Sequence, residues 1–193
     1  MPEIKRCAWC LGDDADMHYH DTQWGVPIHD DSLWFEFLTL EGAQAGLSWR
    51  TIVKKIEGYQ ELFKRFDIEV VASMSDGTLD EILKNPKIVR NRLKVYSTRN
   101  NAQQMLKVQQ EFGSFDAYIW AFVDNKPIQN NFASLKNVPA TTKISDVMSK
   151  DMKKRGFKFI GSTICYALMQ AAGMTNDHET TCFRHQECSQ INP

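Results

Sequence analysis

The chain predicts an all-α protein, and three observations carry that expectation. Apolar residues recur at spacings of three and four along most of its length, which places them on one face of a helix. No segment shows sustained strand alternation bounded by a hairpin turn. Gly and Pro fall between the periodic segments, where helices begin and end. Taken in order, Trp49, Ile52, Val53, Ile56, Tyr59 and Phe63 form one stripe starting at Ser48. Thr78-Leu79-Asp80-Glu81 has the spacing of a capping box that opens a short helix. Pro86 suits the start of a long helix whose apolar positions include Ile88, Val95, Ala102 and Met105, with Gly113 as its stop. Phe115, Ile119, Trp120 and Val123 mark another helical face. Ile164, Leu168, Ala171 and Ala172 mark the last clear helix, which Gly173 terminates. Residues 125–142, punctuated by Pro127 and Pro139, form the longest irregular stretch. The expectation is one helical domain over residues 1–193, with a looped N-terminal arm and a tail bearing potential ligands.

Composition narrows the classes further. The hydrophobic fraction of 42% is enough for a packed core and excludes a disordered chain. A net charge of -1 gives no global attraction to nucleic acid, so a phosphate-binding surface would need locally concentrated positive charge. No run of eighteen apolar residues and no signal peptide is present, which predicts a soluble, cytoplasmic protein with no membrane partner. Five cysteines without a secretion signal point to metal ligation or buried thiols rather than disulfides.

Four groups of residues stand out as candidates for chemistry. Cys7 and His20 near one end, with His178 and Cys182 near the other, are the side-chain types that hold structural zinc. His178 and Cys182 are four apart and would share a helix face; Cys10, in Cys7-Ala8-Trp9-Cys10, competes with Cys7 as the N-terminal ligand. The segment from Glu41 to Trp49 has small residues between a carboxylate and an indole, which suits close backbone approach, although a helix–helix turn with a surface Glu has the same composition. Lys150, Lys153, Lys154, Arg155 and Lys158 concentrate positive charge around Gly156 and Gly161. A helix, a glycine hairpin and a second helix with outward amides would bind phosphate, while a solvated lysine-rich helix end is the plainer alternative. Trp9, Tyr19 and Trp24 crowd the N-terminal arm, and packing alone suffices for Trp24.

Together these residues resemble a known family, the bacterial 3-methyladenine DNA glycosylase I proteins. The resemblance rests on Cys7-Ala8-Trp9, Tyr19-His20-Asp21, Trp24-Gly25-Val26-Pro27, Leu40-Glu41-Gly42 and Gln44-Ala45-Gly46-Leu47-Ser48-Trp49. It is densest from Lys153 to Gly161, continues through Thr163-Ile164-Cys165-Tyr166, and closes at Asn176-Asp177-His178. It implies a helix-hairpin-helix DNA glycosylase fold with a zinc site joining the N- and C-terminal segments, and a hairpin at about 153–163. Cys7, His20, His178 and Cys182 match the family's metal ligands, implying one structural zinc. Glu41, Tyr19, Trp49 and Trp9 match residues that hold the flipped base. Cys10 departs from the family pattern, as does Asp16, where relatives carry an aromatic at the pocket rim.

The implied activity is hydrolytic excision of 3-methyladenine from alkylated double-stranded DNA by a monomer associated with the nucleoid. The free base is one product and an abasic site the other. Methylation at N3 makes the base cationic and a good leaving group, so the protein's main task is to extrude and recognise it. Aromatic faces attract a cation, and Glu41 adds charge and a hydrogen-bond acceptor. Glu41 is the catalytic candidate; it and Asp177 are the two groups that could position water. Relatives with lyase activity carry a lysine just after the second hairpin glycine, where this chain has Ser162-Thr163. Lys154, Arg155, Gly156, Lys158 and Gly161 would grip phosphate, and Leu47 would enter the duplex as a wedge. Two rivals are a non-catalytic helix-hairpin-helix DNA-binding module, which would not need Glu41 with its aromatics, and a zinc-stapled interaction protein, which would not need the basic hairpin.

Overall fold

The structure, a computed structural model, describes residues 4–191. After a short 3-10 turn at Ala8–Cys10 come helices α1 (Asp14–Thr22), α2 (Asp31–Gln44), α3 (Trp49–Val53) and α4 (Ile56–Leu62). These are followed by α5 (Ile68–Ala72), α6 (Asp76–Lys84), α7 (Arg92–Phe112) and α8 (Phe115–Trp120). Strand β1 (Ile128–Gln129) lies in the irregular stretch, ahead of α9 (Lys143–Lys154) and α10 (Ser162–Ala171). Strand β2 (Thr175–Asn176) and α11 (Phe183–Ser189) complete the order. β1 and β2 pair in parallel, Ile128 opposite Thr175. No helix among the described residues is long and apolar enough to cross a membrane.

The centre of the molecule is α2, which is buried along almost its whole length from Trp34 to Ala43. Trp34, Phe35, Phe37, Leu38, Leu40 and Ala43 are all buried and join one hydrophobic cluster with residues of α7, α8, α9 and α10. Asp30 starts α2 by accepting the Leu33 amide at 2.9 Å. The long helix α7 runs to Gly113 as its apolar spacing predicts. α9 opens with a capping box in which Thr142 and Ser145 bond reciprocally, and it ends at Arg155. Gly156 then takes φ 92°, a left-handed conformation that favours glycine, and reverses the chain. Phe157 and Ile160 anchor this hairpin in the core, and Gly161 leads into α10.

The local expectations need five corrections. The stripe from Trp49 to Phe63 is not one helix, because the chain turns at Lys54–Lys55 and divides it into α3 and α4 with the apolar face preserved. α6 opens at Ser75, whose hydroxyl accepts the Thr78 amide at 3.1 Å, so Thr78 lies inside the first turn instead of capping it. α7 begins six residues after Pro86, under Asn91, whose side chain accepts the Lys94 amide at 3.1 Å. Ile88 is buried from the turn before that helix. Beyond Gly173 the tail contains a further short helix, α11. His178 and Cys182 do not share a helix face; they flank a turn closed by the Cys182 amide on Glu179 O at 2.7 Å.

Candidate active site and metal cluster

A cleft of about 190 Å³ opens between the N-terminal arm, the end of α2, α3 and α10. Its size suits one small planar molecule, since drug-sized ligands occupy ~300–1,000 Å³. Trp9, Tyr19, Glu41 and Trp49 all line it, so the structure brings together the four residues grouped as a base site from the sequence. Tyr19 and Trp49 are tilted against each other with centroids 5.0 Å apart, and Trp9 meets Tyr19 edge-on at 6.5 Å. The indole N–H groups of Trp9 and Trp49 and the Tyr19 hydroxyl are buried without a partner among the described residues.

Glu41 belongs to the buried side of α2 and is 5% exposed, which rules out the surface-Glu alternative. Burial alone acts on its carboxyl and pushes its pKa up to about 8; no hydrogen bond or cation among the described residues offsets this. The Tyr19 hydroxyl is likewise pushed well above its ordinary range, by burial first and then by Glu41. An unpaired buried carboxyl among aromatic faces and unsatisfied N–H and O–H groups is an expensive arrangement for folding alone. It is suited to receive a flat cation with its own hydrogen-bonding edge.

Three further findings concern the walls. Trp24, assigned to packing from the sequence, also lines the cleft, packing 5.3 Å from Trp9 and 4.5 Å from the His178 ring. Gln44, from the family-like segment before Trp49, lines it too, as does Gln170, which nothing in the sequence marks. Asp16 does not form the rim. It is buried behind α3, where its carboxylate accepts Arg50 Nε at 3.2 Å.

Beside the cleft, Cys7, His20, His178 and Cys182 are all buried, with donor atoms within 4.8 Å of one another. Cys182 Sγ lies 3.4 Å from His20 Nε2 and 3.7 Å from His178 Nδ1, and Cys7 Sγ lies 3.5 Å from His178 Nδ1. The group could hold a metal ion. The other ring nitrogens are already committed: His20 Nδ1 donates to Asp21 Oδ1 at 2.8 Å, and His178 Nε2 donates to Trp24 O at 3.3 Å. Both inward nitrogens therefore keep their lone pairs. Asp21 is itself held by Arg6 at 2.8 Å. Hydrogen bonding from Cys7, His178 and His20 draws the Cys182 thiol well below its usual range, while the same sharing and burial push Cys7 up. Cys7 is the N-terminal thiol of the cluster; Cys10 turns away and donates to Cys7 O at 3.1 Å. Gly25, at φ 79°, passes so close that a Cβ would sit 2.8 Å from His178 Nε2.

Asp177 lies between cluster and cleft and is fully engaged. It accepts Asn130 Nδ2 at 2.7 Å, Gln170 Nε2 at 2.8 Å, Thr175 Oγ1 at 2.9 Å and the Tyr166 hydroxyl. Through these four donors it ties α10, β2 and the segment just after β1 to the cluster loop.

The hairpin from Lys154 to Gly161 is braced from behind by α7. Asn101 grips Lys158 twice, accepting its amide at 2.8 Å and donating to its carbonyl at 3.0 Å, and Asn100 donates to Gly156 O at 2.9 Å. Lys154 and Lys158 are exposed. Arg155 is not free in the same way. Its guanidinium pairs with Glu111 at 2.7 Å and Asp151 at 2.7 Å, and lies over Phe112 and Tyr118. Leu47 is 41% exposed, in the loop between α2 and α3. Ser162, at the position following the second hairpin glycine, is occupied with Asp146 and Ser145.

Fold and site together define a helix-hairpin-helix protein with an aromatic, carboxyl-bearing cleft of nucleobase size. The methyladenine glycosylase family profile matches residues 9–185. The chain belongs to that family. It is 41% identical to DNA-3-methyladenine glycosylase 1 of Escherichia coli over 179 residues, covering 93% of this chain and 96% of the relative. A crystal structure of a 3-methyladenine DNA glycosylase I superposes with a TM-score of 0.90 at 45% identity, covering 93% of this chain and 98% of that one. The Staphylococcus aureus enzyme, solved to explain its 3-methyladenine recognition, superposes equally well at 0.90 with 36% identity, covering 93% and 96%.

Proposed function

We propose that this chain is a DNA repair glycosylase that extrudes 3-methyladenine from alkylated duplex DNA and hydrolyses its N-glycosidic bond. The observation that carries this reading is the Glu41 carboxyl, buried and unpaired in a cleft walled by Trp9, Tyr19, Trp24 and Trp49. A cationic base supplies the missing partner, and a neutral adenine supplies less. The bond to a cationic base is already weak, so the protein contributes extrusion, orientation and charge stabilisation, not strong acid catalysis. Ser162 and Thr163 offer no amine nucleophile after the hairpin, which favours attack by water and an abasic product without strand cleavage. A non-catalytic DNA-binding module has no use for Glu41 in this setting, and an interaction protein has no use for a hairpin braced twice by Asn101.

Since the lesion carries its charge at every pH, Glu41 sets the pH dependence. Below about 8 the carboxyl of the empty cleft is neutral and attracts the cation less. The kcat/KM for methylated duplex should therefore rise with pH and level off above about 8, because kcat/KM reports groups of the free protein. Glu41→Gln should abolish the rise; a flat parental profile through this range would remove Glu41 from charge recognition.

On the phosphate side, Lys154, Gly156, Lys158 and Gly161 form the proposed grip, with Arg155 bracing the hairpin from within. Leu47 is the proposed wedge. Lys158→Ala should weaken binding to all duplexes alike and lower the salt slope by about one. Fluorescence titration over a range of salt concentrations tests this, and an unchanged slope would place Lys158 outside the contact.

The metal is proposed to be zinc, one per monomer. A tetrahedron with Zn–S of about 2.3 Å and Zn–N of about 2.0–2.1 Å has sulfur–nitrogen edges of about 3.6 Å. The three edges found here are 3.4, 3.5 and 3.7 Å. Two thiolates and two imidazoles close the coordination sphere, which suits a structural role. When bound, the ion supplies cross-linking between the two ends of the fold.

A further inference from the structure

α7 holds both halves of the proposed DNA-binding surface, and one of its contacts has the character of a control point. Lys94 Nζ donates to Ala43 O at 2.7 Å and to Ala45 O at 2.6 Å. These carbonyls close the C-terminal end of α2, immediately before Gly46 and Leu47. Such carbonyls lack helical partners and carry the negative end of the helix dipole. Lys94 pairs with no carboxylate among the described residues, so its charge is spent on this helix end. Seven residues later, about 10 Å along the same helix face, Asn101 holds the hairpin through both backbone groups of Lys158. Gly42 closes the arrangement, since a Cβ there would lie 3.2 Å from Phe159 Cβ of the hairpin.

We propose that Lys94 is a positioning residue for base extrusion: its ammonium fixes the end of α2 so that Leu47 stands at a set distance from the hairpin's phosphate grip. The proposal rests on the reading of Leu47 as the wedge, and a separate variant tests that reading.

The experiment is single-turnover excision by the parent, Lys94→Met, Leu47→Ala and the double variant, on methylated duplex and methylated single strand. Titration with free 3-methyladenine runs alongside. Lys94→Met should slow excision from duplex about tenfold, the scale of one lost charge-assisted contact. It should leave free-base affinity and single-strand excision near the parent, because neither needs a wedge. The double variant should be no slower than Leu47→Ala, since two residues acting through one contact are not additive. Lys94→Gln, which keeps an N–H donor group but loses the charge, should fall between parent and Lys94→Met and serves if the latter folds poorly. Additive losses, or equal losses on duplex, single strand and free base, would reduce Lys94 to a general structural contact. Parental rates for Lys94→Met beside a slow Leu47→Ala would overturn the proposal and keep the wedge. Parental rates for Leu47→Ala would overturn both.

Discussion

Glu41→Gln is expected to slow excision of 3-methyladenine ten- to hundredfold while making the protein more stable. The amide keeps the shape of the side chain and removes its charge. Loss of a charge-assisted contact costs about 1.5–3 kcal/mol, which corresponds to that range of rate. Residual activity should persist because the leaving group is already cationic. The stability gain follows from burial. In the unfolded chain the carboxyl ionises near 4.5, and in the fold only near 8. Well below pH 4.5 it is neutral in both states and costs nothing. From 4.5 upward the unfolded state loses its proton first, so the penalty on the fold grows and becomes constant above 8. At pH 7 it reaches up to about 3 kcal/mol, and Glu41→Gln should relieve much of it. Thermal melts of both proteins across pH 4.5–8.5, beside single-turnover excision, give the comparison. Superimposable melts at every pH would mean that Glu41 has an internal partner.

The second large effect concerns the cluster. Cys182→Ser is expected to release the metal and lower the Tm by on the order of 10 °C, from a loss of several kcal/mol in a chain of this size. Cys7→Ser should do the same. Cys10→Ser should keep the metal, since the Cys10 thiol bonds to the Cys7 carbonyl and stands outside the four-residue cluster. Base affinity should fall with the metal, because Cys7, Trp9 and Trp24 stand in one wall of the cleft. The preference for a charged over a neutral base, which belongs to Glu41, should survive. Elemental analysis with calorimetry separates these outcomes. Metal retained by Cys7→Ser and lost by Cys10→Ser would reverse the ligand assignment.

Much of this architecture was legible because it depends on local chemistry. The apolar rhythm of α7 and α10 and the glycines at 113 and 173 mark real helices and real stops. Their edges were harder, because a start depends on which nearby residue caps the orphan amides. Ser75 outcompeted Thr78, and Asn91 opened a helix that Pro86 only anticipated. The β1–β2 pair spans two residues per strand, too short for any alternation to appear. At the site, Trp9, Tyr19, Glu41 and Trp49 were identifiable as residue types in a family-like order, whereas the exposure of Glu41 was settled only by packing. Arg155 reads as one more cation in a basic run. Its pairing with Glu111, forty-four residues away, is a tertiary fact. Lys94 was invisible for the same reason, since its partners are backbone carbonyls that any residues could supply.

A metal joining Cys7, His20, His178 and Cys182, as proposed, would also bear on when the protein becomes functional. Cys7 and His178 are separated by 171 positions. During synthesis the first pair of ligands must wait until the second emerges, roughly ten to thirty seconds at ~5–20 residues per second. The segment made first is thus among the last to be fixed in place, and Trp9 and Trp24 take up their stations with it. A nascent chain still lacking His178 and Cys182 is expected to hold Trp9 and Trp24 loosely, so base recognition should come late in synthesis.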